Sequence, residues 1–386
     1  MVATGLDRIQ EEPPAALTGG SVGLITNHSA VDADLRAAAD VLADRVDLTR
    51  LFGPEHGIRG REQAGESVED SVDEPTGISV TSLYGDTRRP GPDQLASLDV
   101  LCYDIQGVGV RYYTYLYTLA YAIEAAAEAD PPLVVLDRPN PIAPLPVAGN
   151  RISPGASSFV GGYELPIVHG MTVGEFADYV AGEFVPAADV RVLELDGWSR
   201  EQWFEDTGLP WVPPSPNMPT VDTARCYPGT CLFEGTNCSE GRGTTKPFEQ
   251  VGAPWIDPQE LAAALDALGL SGVGVRPTSF TPQFHKHEGE SCGGVQVHVR
   301  DPDAFDPVRT GIALLATIMT TYSATEWRGG PGGFGIDRLA GGPELRSRID
   351  ELSGPDAVGD LLDALAAEWR ADVTSFREAR APYLRY

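Results

Sequence analysis

The sequence predicts an α/β protein: a Rossmann-like, doubly wound, mainly parallel sheet followed by a second, smaller α/β domain. Three observations predict it. Six short apolar runs rich in branched residues punctuate the first two hundred positions of the 386-residue chain. Helix-patterned stretches separate several of them. Past Trp198 the texture changes to a proline-dense segment, then to loops, strands and helices of different spacing. Near-continuous apolar strands alternating with amphipathic helices indicate a parallel sheet covered on both faces.

In order, the runs are SVGLITN, VDLTRLFG, ISVTSLYG, LDVLCYDIQ, PLVVLDRPN and VRVLELDGW. Their branched and aromatic residues suit a pleated, buried backbone. Between them ADLRAAADVLADR, TYLYTLAYAIEAAAEA and TVGEFADYVAGEF carry the helical period. GLPWVPPSPNMPT reads as a rigid crossing segment, because its prolines fix the backbone. The boundary is placed there, giving a first domain over 1–205 and a second over 206–386. In the second, a helix is expected over Pro258–Leu268, then strands at GVGVRPTSF and GGVQVHVRD. Helices at VRTGIALLATIMTTYS and AVGDLLDALAAEWRADVTSFREAR close the chain. No G-x-G-x-x-G follows the first strand, where ITNHSAV stands, so a dinucleotide role is not supported.

The charge balance excludes further classes. Fifty-six acidic residues face 28 basic ones, for a net charge of −28. Only Lys246 and Lys286 are lysines. Such a surface repels nucleic acid and anionic membranes, whose phosphates require basic patches. It is best tolerated where salt screens self-repulsion, and reads as adaptation to a high-salt cytosol. The N-terminus carries no basic and apolar leader pattern, and no run approaches a bilayer span. Five cysteines without a CxxC pair fit reduced thiols in a cytoplasmic protein.

Functional groups in open α/β sheets collect beyond the carboxyl ends of the strands. Three polar clusters stand in that place. DLTRLF runs into Glu55 and His56 in LFGPEHGIRG, DVLCYD into Asp104, Gln106, Arg111 and Tyr113, and LVVLD into Asp137, Arg138 and Asn140. Three successive clusters, each with a carboxylate, suggest a shared pocket. Asp104 and Asp137 are expected to pair with Arg111 and Arg138, which would depress their pKa values. A glutamate left without an arginine in a desolvated cleft would suit a general acid, and Glu55 competes for that post with Glu234 and Glu240. FEGTNCSEGRG also sets Asn237 and Arg242 among glycines that permit close approach to a ligand. A phosphate cradle and a structural crossover loop are the other readings of that segment. HKHE would put His285 and His287 on one face of a strand. Without further ligands this supports a packed strand over a metal site. No G-x-S-x-G nucleophile elbow is present.

FGPEHGIRG, YDIQGVGVRYYTY, LDRPNP, FVGGYELPIVHGMTVGEFADY, PSPNMPT and YPGTCLFEGTNCSEGRGTTKPFEQVGAPW follow one another in this order. Together with GVGVRPTSFTPQFHKHEGESCGGVQVHV they resemble the NamZ family of exo-β-N-acetylmuramidases, from about Gly5 to Tyr386. The resemblance implies a glycoside hydrolase that releases N-acetylmuramic acid from the non-reducing end of peptidoglycan fragments. It implies an active site in the cleft between the domains and neither cofactor nor metal. Glu55 and His56 match the E-H-G loop, His169 the histidine of H-G-M, and Glu234 and Glu240 the glutamates of E-G-T-N-x-S-E-G-R-G. Asn217 in PSPNMPT joins the candidate sugar contacts. Arg59, Arg111, Arg138 and Arg242 are candidates for the lactyl carboxylate, which a guanidinium fork suits. Two positions depart from the family: Gly107 replaces the aspartate of D-I-Q-D-V-G, and Glu164 stands in YELP where Y-P-I-P is usual. A non-hydrolytic carbohydrate-binding protein is the alternative.

Overall fold

The computed structural model describes residues 1–61, 69–85 and 87–386. The first unit is built on strands β1 (Ser21–Thr26), β2 (Asp47–Gly53), β3 (Ser71–Val72), β4 (Ser79–Ser82), β5 (Val100–Asp104), β6 (Leu133–Leu136) and β7 (Val190–Leu193). They form one seven-stranded sheet in the order β3-β4-β2-β1-β5-β6-β7. Every pairing is parallel except that of the edge strand β3 with β4. Its helices are α1 (Gly5–Glu11), α2 (Ala38–Arg45), α3 (Pro92–Leu95), α4 (Thr114–Ala129) and α5 (Val173–Glu183).

Period-two alternation builds the two faces. Leu101 and Tyr103 of β5 pack with Ile25 and Phe52 into one core, together with residues of α4 and α5. Val100 and Cys102 pack with Leu24 and Leu51 into another, together with residues of α1 and α2. The chain winds outward from β1 through β2 to β4, then crosses to β5 and winds the other way. That reversal opens a crevice at the carboxyl ends of β1, β2 and β5. The predicted helix over ADLRAAADVLADR begins only at Ala38, because Asp32 Oδ1 accepts the amides of Asp34 and Arg36 and Leu35 is left-handed. A carboxylate that captures nearby amides in this way competes with the helix.

The second, smaller unit holds a three-stranded antiparallel sheet, β8 (Gln250–Ala253), β10 (Cys292–Val299) and β9 (Val273–Phe280) in that order, and a hairpin of β11 (Gly329–Gly330) and β12 (Gly333–Phe334). Its helices are α6 (Val221–Thr230), α7 (Pro258–Asp266), α8 (Pro307–Thr321), α9 (Gly335–Ala340), α10 (Glu344–Asp350) and α11 (Val358–Arg380). α6 and α8 cross at Gly229 and Gly311, so closely that a Cβ on Gly311 would lie 2.2 Å from Gly229 Cα. The core of the α4 face continues without a break into this unit. HKHE is not a strand: it lies in a turn, with His285 and His287 both left-handed (φ 72° and 57°).

The proline-dense crossing segment lies against the first unit. Pro213 O accepts from the His28 ring, and Pro214 O from the Tyr115 hydroxyl at 2.8 Å. The last residues also return to the first unit. Arg380 donates to the carbonyls of His169 (2.8 Å) and Gly170 (2.6 Å), and Arg385 to Asp178 (2.6 Å). The Tyr386 hydroxyl donates to Asp137 and accepts from the Leu195 amide. Among the described residues no helix is long and apolar enough to cross a membrane.

Candidate active site

Past β2 the chain turns sharply: Gly57 N–H donates to Pro54 O, and His56 and Gly57 are both left-handed (φ 72° and 67°). A third positive φ falls at Gly60, where a Cβ would lie 2.6 Å from the His28 ring, so only glycine fits. This geometry swings Glu55 over the first turn of α4. The Thr114 hydroxyl donates to Glu55 Oε2 (2.9 Å), the Tyr115 hydroxyl donates to the Glu55 carbonyl (3.2 Å), and Tyr84 also hydrogen-bonds the carboxylate. The positive end of a 16-residue helix thereby lies against it. His56 is buried at its side and, after burial itself, helps hold the His28 imidazole below its ordinary range.

The opposite wall comes from the second unit. After α6 a tight turn over Cys231–Gly235 presents Glu234, whose Oε1 lies 2.6 Å from Arg242 Nη2. Burial works against the Arg242 charge, but Glu234 and Glu240 outweigh it and push its pKa up. Glu240 lies beneath, fully buried, with Lys286 Nζ at 2.8 Å, His285 Nδ1 at 3.2 Å and Arg242 Nε at 3.3 Å. Burial alone would raise its carboxyl; Lys286, His285 and Arg242 hold it well below the usual range. Lys286 also donates to the carbonyls of Phe233 and Cys238, tying the loop that carries both glutamates.

Glu55 and Glu234 line one pocket of about 370 Å³. Tyr112, Tyr113, Tyr115, Tyr227 and Phe248 form much of its wall, packed edge to face; Tyr227 and Phe248 have ring centroids 4.8 Å apart. An aromatic hollow with a few converging polar groups is the usual form of a small-molecule site. The volume and the two carboxylates suit a sugar ring.

Of the sixteen candidates named from the sequence, Glu55, His56, Tyr113, Glu234 and Arg242 line this pocket. The others stand outside its lining, with other work to do. Arg111 is fully buried and donates to the carbonyls of Asn150, Leu165 and Leu339. Arg138 grips Asp104 (Nη2–Oδ2 2.9 Å), yet burial still pushes the Asp104 carboxyl up, against the expected depression. Asp137 pairs with no arginine side chain among the described residues. It accepts from Thr172, Gly174 and Tyr386, and burial raises it to about 7. Arg59 is held between Asp40 and Asp73, and Gln106 and Asn140 donate to backbone carbonyls. His169 is buried, accepts the Met171 amide on Nδ1, and is held to about 3 by burial, Arg380 and Arg200. Asn217 is buried away from the lining. Asn237 bonds Ala324 and Glu326 across the second unit.

Tyr84, Thr114, Ser215 and Arg328 also line the pocket, beyond the residues that the sequence pattern singles out. Thr114 sits inside VRYYTY, at the start of a predicted helix, where a hydroxyl would have been a fair guess. The two family departures fall elsewhere. Gly107 lines a separate void of about 20 Å³, where a Cβ would lie 3.0 Å from Val173, and Glu164 is exposed and paired with Arg151. No group of three His, Cys, Asp or Glu able to hold a metal occurs among the described residues.

Comparison with known proteins accounts for the whole chain. Residues 22–222 match the family model of the N-terminal part of the exo-beta-N-acetylmuramidase NamZ, and residues 225–386 that of its C-terminal part. Over 387 residues the chain is 45% identical to the peptidoglycan beta-N-acetylmuramidase NamZ of Bacillus subtilis (strain 168), covering 100% of this chain and 91% of that protein. Two crystal structures of DUF1343 family proteins from Bacteroides fragilis NCTC 9343 share the fold. One has a TM-score of 0.89 at 34% identity and the other 0.78 at 29%, each over 100% of this chain and 99% of the other.

Proposed function

The chain belongs to the NamZ family of exo-β-N-acetylmuramidases, and on that premise we propose that Glu55 and Glu234 are the working carboxylates of a glycoside hydrolase. The enzyme releases N-acetylmuramic acid from the non-reducing end of peptidoglycan fragments. The observation that carries the residue assignment is that these two glutamates, one from each unit, line a single sugar-sized pocket.

Cleavage of a glycosidic bond requires a proton on the leaving oxygen and negative charge beside the oxocarbenium-like centre. Glu55 lines the pocket, accepts from the hydroxyls of Thr114 and Tyr84, and takes the first role. Glu234 faces the permanent charge of Arg242 and takes the second. Glu240 neither touches the pocket nor gives up its proton partners; it anchors Arg242 and Lys286. His56 lines the same pocket next to Glu55 in the chain. A nitrophenyl glycoside of N-acetylmuramic acid tests this. E55Q and E234Q should each lose about 10³-fold in kcat with the fold kept, and turnover near the wild-type rate in E55Q would remove it from the mechanism.

The substrate is a small sugar fragment, and the net charge of −28 supports a partner list without nucleic acid. Five free, buried thiols support a reducing, cytoplasmic setting, and the acidic surface a salty one. The crossing segment supports division into units at 205/206.

A further inference from the structure

Recognition of N-acetylmuramic acid, as against N-acetylglucosamine, comes down to one group: the carboxylate of the lactyl ether. A protein of net charge −28 that sets two glutamates in its pocket repels that group unless a cation is reserved for it. Arg59, Arg111 and Arg138 are consumed by Asp40 and Asp73, by three carbonyls, and by Asp104. Arg242 lies in the pocket but is shared between Glu234 and Glu240. We propose that Arg328 binds the lactyl carboxylate and sets the preference for muramic acid, an inference that rests on the muramidase reading above.

Arg328 lines the pocket, is exposed, and its side chain makes no ion pair or hydrogen bond among the described residues. Its backbone is fixed beside the reacting centre. Its amide donates to Gly235 O (2.7 Å), next to Glu234, and its carbonyl accepts from Gly335 (2.9 Å). Trp327 before it bridges to Thr236 and donates to Asp350. Gly235 itself sits tight against α9: a Cβ there would lie 2.6 Å from the Ile336 backbone. After Arg328 the chain runs through Gly329 and Gly330 into a glycine hairpin that offers no carboxylate to cover the guanidinium. A rigidly based arginine with an open fork is suited to a bidentate carboxylate contact.

The test is calorimetric. Free N-acetylmuramic acid and N-acetylglucosamine are titrated into wild type, R328Q and R328K, alongside turnover of the nitrophenyl muramide. Charge-assisted bonds of this kind predict that R328Q weakens muramic acid binding by roughly ten- to hundred-fold. N-acetylglucosamine binding should stay within about two-fold, R328K should recover part of the loss, and KM should rise more than kcat falls. Equal weakening of both sugars, or undiminished binding of muramic acid, overturns the proposal. A wild type that binds the two sugars alike overturns it as well. A wild type that releases no nitrophenol refutes the proposed activity instead, and the ratio of the two affinities still decides the role of Arg328.

Discussion

The hydroxyl of Thr114 stands 2.9 Å from Oε2 of Glu55, joining the loop after β2 to the first residue of α4. Two sequence-distant pieces of the sheet crevice are thereby fixed to one another at the proposed site of proton transfer. T114V should leave the fold intact and lower kcat about ten-fold, since a misplaced acid loses part of a contribution of roughly 10²–10⁴. T114S should restore most of it. A T114V enzyme as fast as wild type would mean that the remaining contacts of Glu55, Tyr84 among them, hold it without the Thr114 hydroxyl.

Glu240 makes the opposite prediction, about stability. It is the buried anion for Lys286 and Arg242, and removing one partner of such a cluster costs about 3–5 kcal/mol. E240Q should shift the urea midpoint down accordingly. The double variant E240Q/K286M should cost less than the sum of the two singles, because the orphaned ammonium is gone. Strict additivity in that cycle would show the two side chains to be energetically independent.

Acid stability should reveal His169 and Asp137 pulling against each other. Unfolded, a histidine gains its proton through pH 6.5, whereas buried His169 resists until about 3. The unfolded state therefore binds more protons in that window, and stability falls on acidification by about 1.4 kcal/mol per pH unit. Asp137 works the other way. Its folded carboxyl takes a proton near 7 and its unfolded one near 3.8, so this group stabilises as pH drops between them. H169Q should thus grow more stable relative to wild type as pH falls from 6.5 to 4.5. A difference that stays constant with pH, measured by urea unfolding, contradicts the buried neutral imidazole.

The contact between Gly229 and Gly311 leaves no room for a methyl group. G311A should push α6 and α8 apart at a cost of about 1–3 kcal/mol. Because α6 leads straight into the turn bearing Glu234, the melting temperature and kcat should fall together. Loss of stability at full activity would show that the turn is held independently of α6.

How much of this was legible in the sequence follows from how far each partner lies along the chain. The parallel sheet could be read because β1, β5 and β6 are apolar on both faces and β2 ends in the buried Leu51 and Phe52, and α4 because its period is unbroken over Thr114–Ala129. Glu55 could be read because it directly follows a buried strand. The fates of Arg111, Arg138 and Glu240 could not. Leu339 receives Arg111 from 228 residues away, and Lys286 meets Glu240 across 46. No local pattern separates an arginine that caps buried carbonyls from one that awaits a ligand. HKHE misled for a related reason: alternating spacing looks like a strand, but His287 must reach Asn237 O and Lys286 must reach inward, which takes a left-handed turn. Arg328 carried one faint mark, an arginine opening a run of glycines with nothing acidic to hold it.

The anchoring of Arg380, Arg385 and Tyr386 on His169, Asp178 and Asp137 bears on how the molecule is born. A nascent chain leaving the ribosome can assemble its seven-stranded sheet early, but the carboxyl of Asp137 stays unsealed until Tyr386, 249 residues further on, emerges. Completion of the first-made half thus waits on synthesis of the segment around Arg380–Tyr386, and a protease that cut ahead of that segment would loosen a region made hundreds of residues earlier.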